Sequence, residues 1–327
     1  MHRFFAVPIL LSFTAAAGLA ASDSGLLALV PADSKIVTSV DVQQARSSQF
    51  GQFLLNRMNS NSSEFDKMAQ ETGFDPRRDL QSFVFASSGP PQAAGQPSFV
   101  LIARGTFDGQ WLRKQILSQG GSVQNIGGVD VYVTRQHRQS NAFALPDTGI
   151  AVLGSLASVQ QVIANRANPS VLDAGLQSLI AKVSPNNDAW FASILPGSFL
   201  TQRVNVAMNQ QAKAQVQAFQ SVQQAAGGVQ FGDPVRLTLD AVARSPQDAV
   251  SLTDVVRFMA SMVQMQRQNG VPASVVASAL DTMTLNASGN DFHMNVAIPE
   301  KNLEQLAASG MNPGVHHGFK AAKPSQQ

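Results

Sequence analysis

The sequence predicts an α+β fold in two related halves, each a mostly antiparallel sheet with helices packed on one face and with ferredoxin-like character. Three observations predict it. Short runs rich in β-branched residues alternate apolar and polar side chains, and several are separated by hairpin-length turns. Apolar residues at helical spacing follow most of these runs. A proline turn with Asn or Asp, then a strand, then a helix occurs twice, at Val30-Pro31-Ala32-Asp33 and at Ser184-Pro185-Asn186-Asn187-Asp188.

Residues 1–20 have the form of a secretory signal peptide. His2 and Arg3 precede an apolar run over residues 4–13, and Gly18 and Ala20 stand at the −3 and −1 positions of a cut before Ala21. The run is short for a bilayer span of about 20 residues, which favours cleavage over an anchor. The organisation expected is a signal over residues 1–20, a first half over 26–168, a second half over 169–309 and a disordered Gly/Pro/Lys-rich tail over 310–327.

In the first half, Ile36, Val37 and Val40 alternate in a strand over 35–42. Phe50, Phe53 and Leu54 then follow helical spacing over 46–58. A second helix is expected over 64–72, stopped by Gly73, and Asp75-Pro76-Arg77-Arg78-Asp79 forms a charged corner. Strands over 80–87 and 98–104 flank a Gly/Pro-rich loop, and Asp108 caps a helix over 109–119. Val129 opens a strand to Thr134, residues 141–145 and 149–153 form a hairpin, and Ser155 caps a helix over 156–166.

In the second half a linking helix over 171–183 leads to a strand over 188–194. A long Gln- and Ala-rich helix is expected over 202–226, ended by Gly227-Gly228; its apolar stripe is thin, and it reads as a brace between the halves or a surface for a partner helix. Leu237, Leu239, Ala241 and Ala243 alternate in a strand over 234–244. Pro246 opens a helix over 247–268 carrying Met259, Met262 and Met265, which form core or an adaptable binding surface. A short helix over 274–280, a hairpin of strands 281–287 and 291–298, and a helix over 300–309 complete the half. The order of elements repeats at an offset of about 150 residues, which points to internal duplication.

Val30-Pro31-Ala32-Asp33 and the strand end Val40-Asp41, behind an export signal and ahead of two similar halves, resemble a type of bacterial exported protein of unknown function. That resemblance implies no activity.

Composition excludes several classes. The chain has no cysteine, which removes disulfides, thiol catalysis and thiolate metal sites. Its formal net charge is +2 with 13% charged residues, so it offers no field for nucleic acid or acidic lipid. His137, His293, His316 and His317 show no zinc-motif spacing, and neither a Gly-x-Ser-x-Gly elbow nor a phosphate loop occurs. Asn61 and Asn286 open glycan-type sequons of no weight in a bacterial chain. The sequence therefore assigns no catalytic, cofactor or metal residue. The leading expectation is a periplasmic or secreted non-enzymatic module. It binds an unknown envelope protein or small ligand, makes no nucleic-acid contact and has no transmembrane segment after signal cleavage. The alternatives are a hydrolase built from scattered Asp, His and Ser around His293 or His137, and a carrier of a hydrophobic ligand.

Overall fold

The computed structural model describes residues 23–53, 66–67, 69–70, 73–89, 98–118, 120–136, 139–198, 217–265 and 273–310. Within them lie the strands β1 Ile36–Asp41, β2 Leu80–Ser87, β3 Phe99–Gly105, β4 Ser122–Ile126, β5 Val129–Gln136 and β6 Gln139–Asp147. They continue with β7 Ile150–Ser155, β8 Ala189–Ser193, β9 Val222–Gln230, β10 Val235–Ala243, β11 Thr284–Ser288 and β12 Asp291–Ile298. The helices are α1 Ser24–Leu27, α2 Val42–Ser47, α3 Pro76–Asp79, α4 Gly109–Ser118, α5 Leu156–Asn165, α6 Ala174–Val183, α7 Pro246–Met265, α8 Ala273–Thr282 and α9 Glu300–Gly310.

The fold is α+β, and its strands form one antiparallel sheet of twelve in the order β11-β12-β10-β9-β8-β1-β2-β3-β7-β6-β5-β4. The seam is β1 against β8, with Val37 opposite Ala192 and Ser39 opposite Trp190. Outward from the seam the order is β1-β2-β3-β7-β6 on one side and β8-β9-β10-β12-β11 on the other, with β5 and β4 added on the first side. On the first side β1, β2 and β3 lie side by side and antiparallel.

Alternate residues of a strand point to opposite faces, and the two hydrophobic clusters use this. The larger cluster takes Val37, Val84, Val100, Ile102, Val131, Val152, Trp190 and Ala226 from one face of the sheet. Leu26 and Val30 from α1 and its turn, Val159 and Val162 of α5, and Leu176 and Ile180 of α6 cover them. The smaller cluster joins Ala241, Ala243 and Phe292 to Ala249 and Leu252 of α7, with Ala225 of β9 packed against them. Ala225 and Ala226 are neighbours in one strand, so α6 and α7 lie on opposite faces of the sheet.

Local chemistry sets the element ends. Asp41, Ser155 and Asp173 accept hydrogen bonds from backbone N–H groups at the starts of α2, α5 and α6. Asp23 caps α1 by accepting from the Leu26 N–H and pairs with Arg104 of β3. Burial works against ionisation of Asp23, but hydrogen bonds from Arg104 and Leu26 outweigh it and hold the carboxyl below the ordinary carboxylate range. The buried Asn165 at the end of α5 donates to the carbonyls of Leu29 and Val30, both at 3.1 Å, locking the segment after α1 in place.

The structure corrects the sequence reading in several places. The long helix expected over 202–226 is not formed at its C-terminal end: Val222–Gln230 is β9, hydrogen-bonded between β8 and β10. Gly227-Gly228, read as a helix stop, stands in mid-strand. A Cβ on Gly227 would lie 2.5 Å from the Thr238 carbonyl oxygen. Composition favoured a helix here, and pairing with two strands overrode it. The polar edge strand β4 and the short α2 over Val42–Ser47 were not foreseen, and of the helix expected over 46–58 the described residues 49–53 are helical. The expected helix over 64–72 lies mostly outside the described residues, as do residues 202–216 and 311–327, His137 and the loop 90–97.

The strand and helix readings of Gly227 predict opposite signs. In a helix, Gly227→Ala would stabilise by about 1 kcal/mol. In β9 it forces a backbone clash, so we expect a loss of about 1–3 kcal/mol in urea unfolding. The exposed Gln223→Ala on the same strand should shift stability by less than about 0.5 kcal/mol.

Candidate functional site

The residues the sequence marked for chemistry fall in two places. His293 on β12 stands directly across from Asp240 on β10, with Nδ1 2.8 Å from Oδ1. Lys182 of α6 reaches the same oxygen at 2.9 Å. His293 and Lys182 are about half exposed, while the Asp240 side chain is largely covered. Asn286 of β11 follows His293 in the same cross-strand row. None of these side chains lines the apolar cavity under α7, the groove beside it or the cleft beside α4. Among the described residues no three His, Asp or Glu side chains come together as a metal-binding group.

The charged corner folds as α3 and neutralises itself. Arg77 pairs with Asp75 at 2.7 Å and Asp66 at 2.9 Å, and Arg78 binds both oxygens of Asp79 at 2.7 and 2.8 Å. The hydrogen bond from Arg77 holds the Asp75 carboxyl below its ordinary range, and Arg78 does the same for Asp79. Arg46 adds hydrogen bonds to the carbonyls of Pro76, Arg78 and Leu80.

The feature that the residue types did not announce is an apolar cavity of about 300 Å³ between the sheet and α7. Phe191, Ala225, Leu239, Ala241 and Phe292 form its floor and Leu252 and Val256 of α7 its roof, with Leu195 and Phe219 also lining it. A second apolar groove of about 440 Å³ shares Phe191 and Leu239 with it and runs across Thr38, Val229, Leu237 and Met294. The two adjoin along β8, β9 and β10, with Phe191 and Leu239 lining both. A third, polar cleft of about 730 Å³ lies at the far end of the sheet beside α4. The sequence signal for the cavity was the alternation of Leu237, Leu239 and Ala241, which reads equally well as ordinary core. Met259 of α7 is half-buried, while the side chains of Met262 and Met265 lie outside the described residues.

At the seam, Asp188 immediately precedes β8. Its N–H donates to the Val229 carbonyl at 2.9 Å, its carbonyl accepts from the Asp41 N–H at 2.7 Å, and Oδ2 accepts from the Phe231 N–H at 2.6 Å. Burial raises the Asp188 carboxyl above its ordinary range despite the Phe231 hydrogen bond, and Asp41 adds to the rise.

The sequence matches no protein-family model and no curated protein. Two solved structures are similar to it. Crystal form IV of TP0453 is 12% identical, covers 86% of this chain and 96% of its own, and superposes with a TM-score of 0.46. Crystal form I is 10% identical, covers 89% and 98%, and gives 0.48. Among the described residues no helix is long and apolar enough to cross a membrane, which does not bear on β-barrels.

A raised carboxyl means that the folded state binds a proton more readily than the unfolded one. Stability from this group is therefore greatest in acid and falls as pH rises from 3.8 through the folded-state value. Asp188→Asn keeps an acceptor for Phe231 and removes the buried charge. It should stabilise the protein at pH 7 in urea unfolding, and the gain should vanish below pH 3.8. A gain independent of pH would assign the effect to packing instead.

Proposed function

We propose that this chain is an exported, non-enzymatic binding module of a bacterial envelope, working in the periplasm or outside the cell, and that it takes a small hydrophobic ligand in the cavity under α7. The single observation that carries this reading is the lining. Twelve residues surround the cavity, and the only side-chain heteroatom among them is the Ser193 hydroxyl. Its volume falls at the lower end of the range for small-molecule sites, about 300–1,000 Å³. The adjoining groove offers an apolar path for a longer chain. An alkyl or acyl chain fits this chemistry, because each buried methylene gains about 0.8 kcal/mol with no polar group left unpaired.

The export signal over residues 1–20 and the absence of cysteine support the location. The matching strand orders on the two sides of the seam support an origin by internal duplication. A periplasmic hydrolase has less to stand on: His293 and Asp240 are paired, but they sit on an open face with Lys182 bound to the same carboxylate.

The test is displacement of a fluorescent eleven-carbon fatty acid from the purified chain without residues 1–20. We expect saturable binding, competed by unlabelled fatty acids. Val256→Trp fills the cavity from the helix side and should weaken binding at least tenfold. Equal binding by that variant, or no binding of alkyl probes by the unaltered chain, removes this reading.

A further inference from the structure

We propose a second, chemically different site: the polar cleft beside α4 binds a neutral saccharide. The cleft measures about 730 Å³ and is bounded by the corner at Arg78 and Asp79, the start of α4 at Asp108 and Gln110, and β5. At its base lies Tyr132, the sole tyrosine of the chain, only 7% exposed. Its ring packs against Phe143, with centroids 6.3 Å apart. Its hydroxyl makes no hydrogen bond to a described residue and is not sealed from solvent, so it opens on the cleft that Tyr132 lines. A hydroxyl that meets only solvent at the edge of a cleft can donate to and accept from a molecule that displaces that solvent.

The charges around it set the class of ligand. Two guanidiniums, Arg78 and Arg113, and two carboxylates, Asp79 and Asp108, line the cleft and cancel. Arg78 binds both oxygens of Asp79 at 2.7 and 2.8 Å, and Asp79 also accepts from the Asp75 N–H at 2.8 Å. Arg113 meets Asp130 at only 3.5 Å, and Asp108 caps α4 by accepting from the Gln110 N–H at 3.0 Å. An anion entering would meet Asp108, and a cation would meet Arg113. A neutral molecule carrying many hydroxyls meets donors and acceptors together, because each hydroxyl can donate and accept. Phe107 adds an apolar wall, its ring stacked on Phe74 with centroids 5.2 Å apart. The C–H face of a pyranose ring is apolar and packs against such a wall. This site shares no residue with the apolar cavity and stands independently of the function proposed for it.

Because the chain holds one tyrosine, labelling tyrosine rings with carbon-13 gives NMR signals from Tyr132 alone. The labelled chain, lacking residues 1–20, is titrated with cellobiose, maltose and chitobiose, and with glucuronate and glucosamine as charged counterparts. We expect the ring signals to move saturably with at least one neutral sugar and not with the charged ones. Arg113→Gln, an exposed change that leaves the fold intact, should weaken the affinity at least fivefold by the same signal. Tyr132→Phe should weaken it about fivefold by calorimetry, the size expected for one hydrogen bond, while Val256→Trp leaves it unaltered. No movement with any neutral sugar at tens of millimolar, stronger binding of a charged sugar, or full affinity in both Arg113→Gln and Tyr132→Phe overturns the proposal.

Discussion

The pairing of β1 with β8 decides which side chains face which way across the molecule. On one face a cross-strand row can be followed through all twelve strands from the pairing register. It runs from Leu285 through Met294, Leu239, Gly227, Phe191 and Thr38, then through Phe85, Leu101, Leu153, Phe143 and Tyr132 to Val123. The opposite face carries Val133, Ala142, Gly154, Val100, Ala86, Val37, Ala192 and Ala226, and then Asp240 and His293. A slip of one residue at the seam would turn one side of the sheet over relative to the other. Val37 would then face the groove, and the cluster under α5 and α6 would divide. The backbone bonds of Asp188 to both Val229 and Asp41 oppose that slip at the point where the two sides meet.

This register also explains the change from apolar to polar along the second row. Helix cover over that face reaches as far as α6, whose Leu176 and Ile180 belong to the larger cluster together with Ala226. The next residue outward is Asp240, and the end of α6 meets it with Lys182 rather than with an apolar side chain. The His293–Asp240 pair is thus what two adjacent strands present where the covering helix stops. Its position follows from the architecture without any catalytic requirement.

Much of the fold was legible because it was encoded locally. Asp108 and Ser155 cap helices through their own side chains, and Ser288-Gly289-Asn290 turns a hairpin with Gly289 at positive φ. β12 alternates along most of its length and β2 carries an apolar run over residues 83–86, so both could be read directly. What could not be read depended on partners distant in sequence. The Val222–Gln230 segment has no β-branched residue between its two valines, and Gln, Ala and Gly carry no strand period; only β8 and β10 make it a strand. β4 is polar because it closes the sheet at an edge, where one side has no neighbour to pair with. The apolar cavity was illegible for the same reason. It is assembled from β8, β9, β10, β12 and α7, and no single stretch contains enough of it to be recognised.

The small residues that hid β9 are also what make room beside it. Ala225 and Gly227 sit between Phe191 and Ser193 on one side and Leu239 and Ala241 on the other, where larger side chains would fill the space. The floor at both ends of this face is built from the same kind of row, Leu239 and Phe191 at one end and Tyr132 and Phe143 at the other. The difference in chemistry comes from the helix set above each end. α7 lowers Ala249, Leu252 and Val256 toward the sheet, and the space beneath them stays apolar. α4 instead begins at the edge of the sheet with the Asp108 cap and turns Gln110 and Arg113 toward Tyr132. A strand row fixes where space can open, and the helix above it determines what kind of molecule that space accepts.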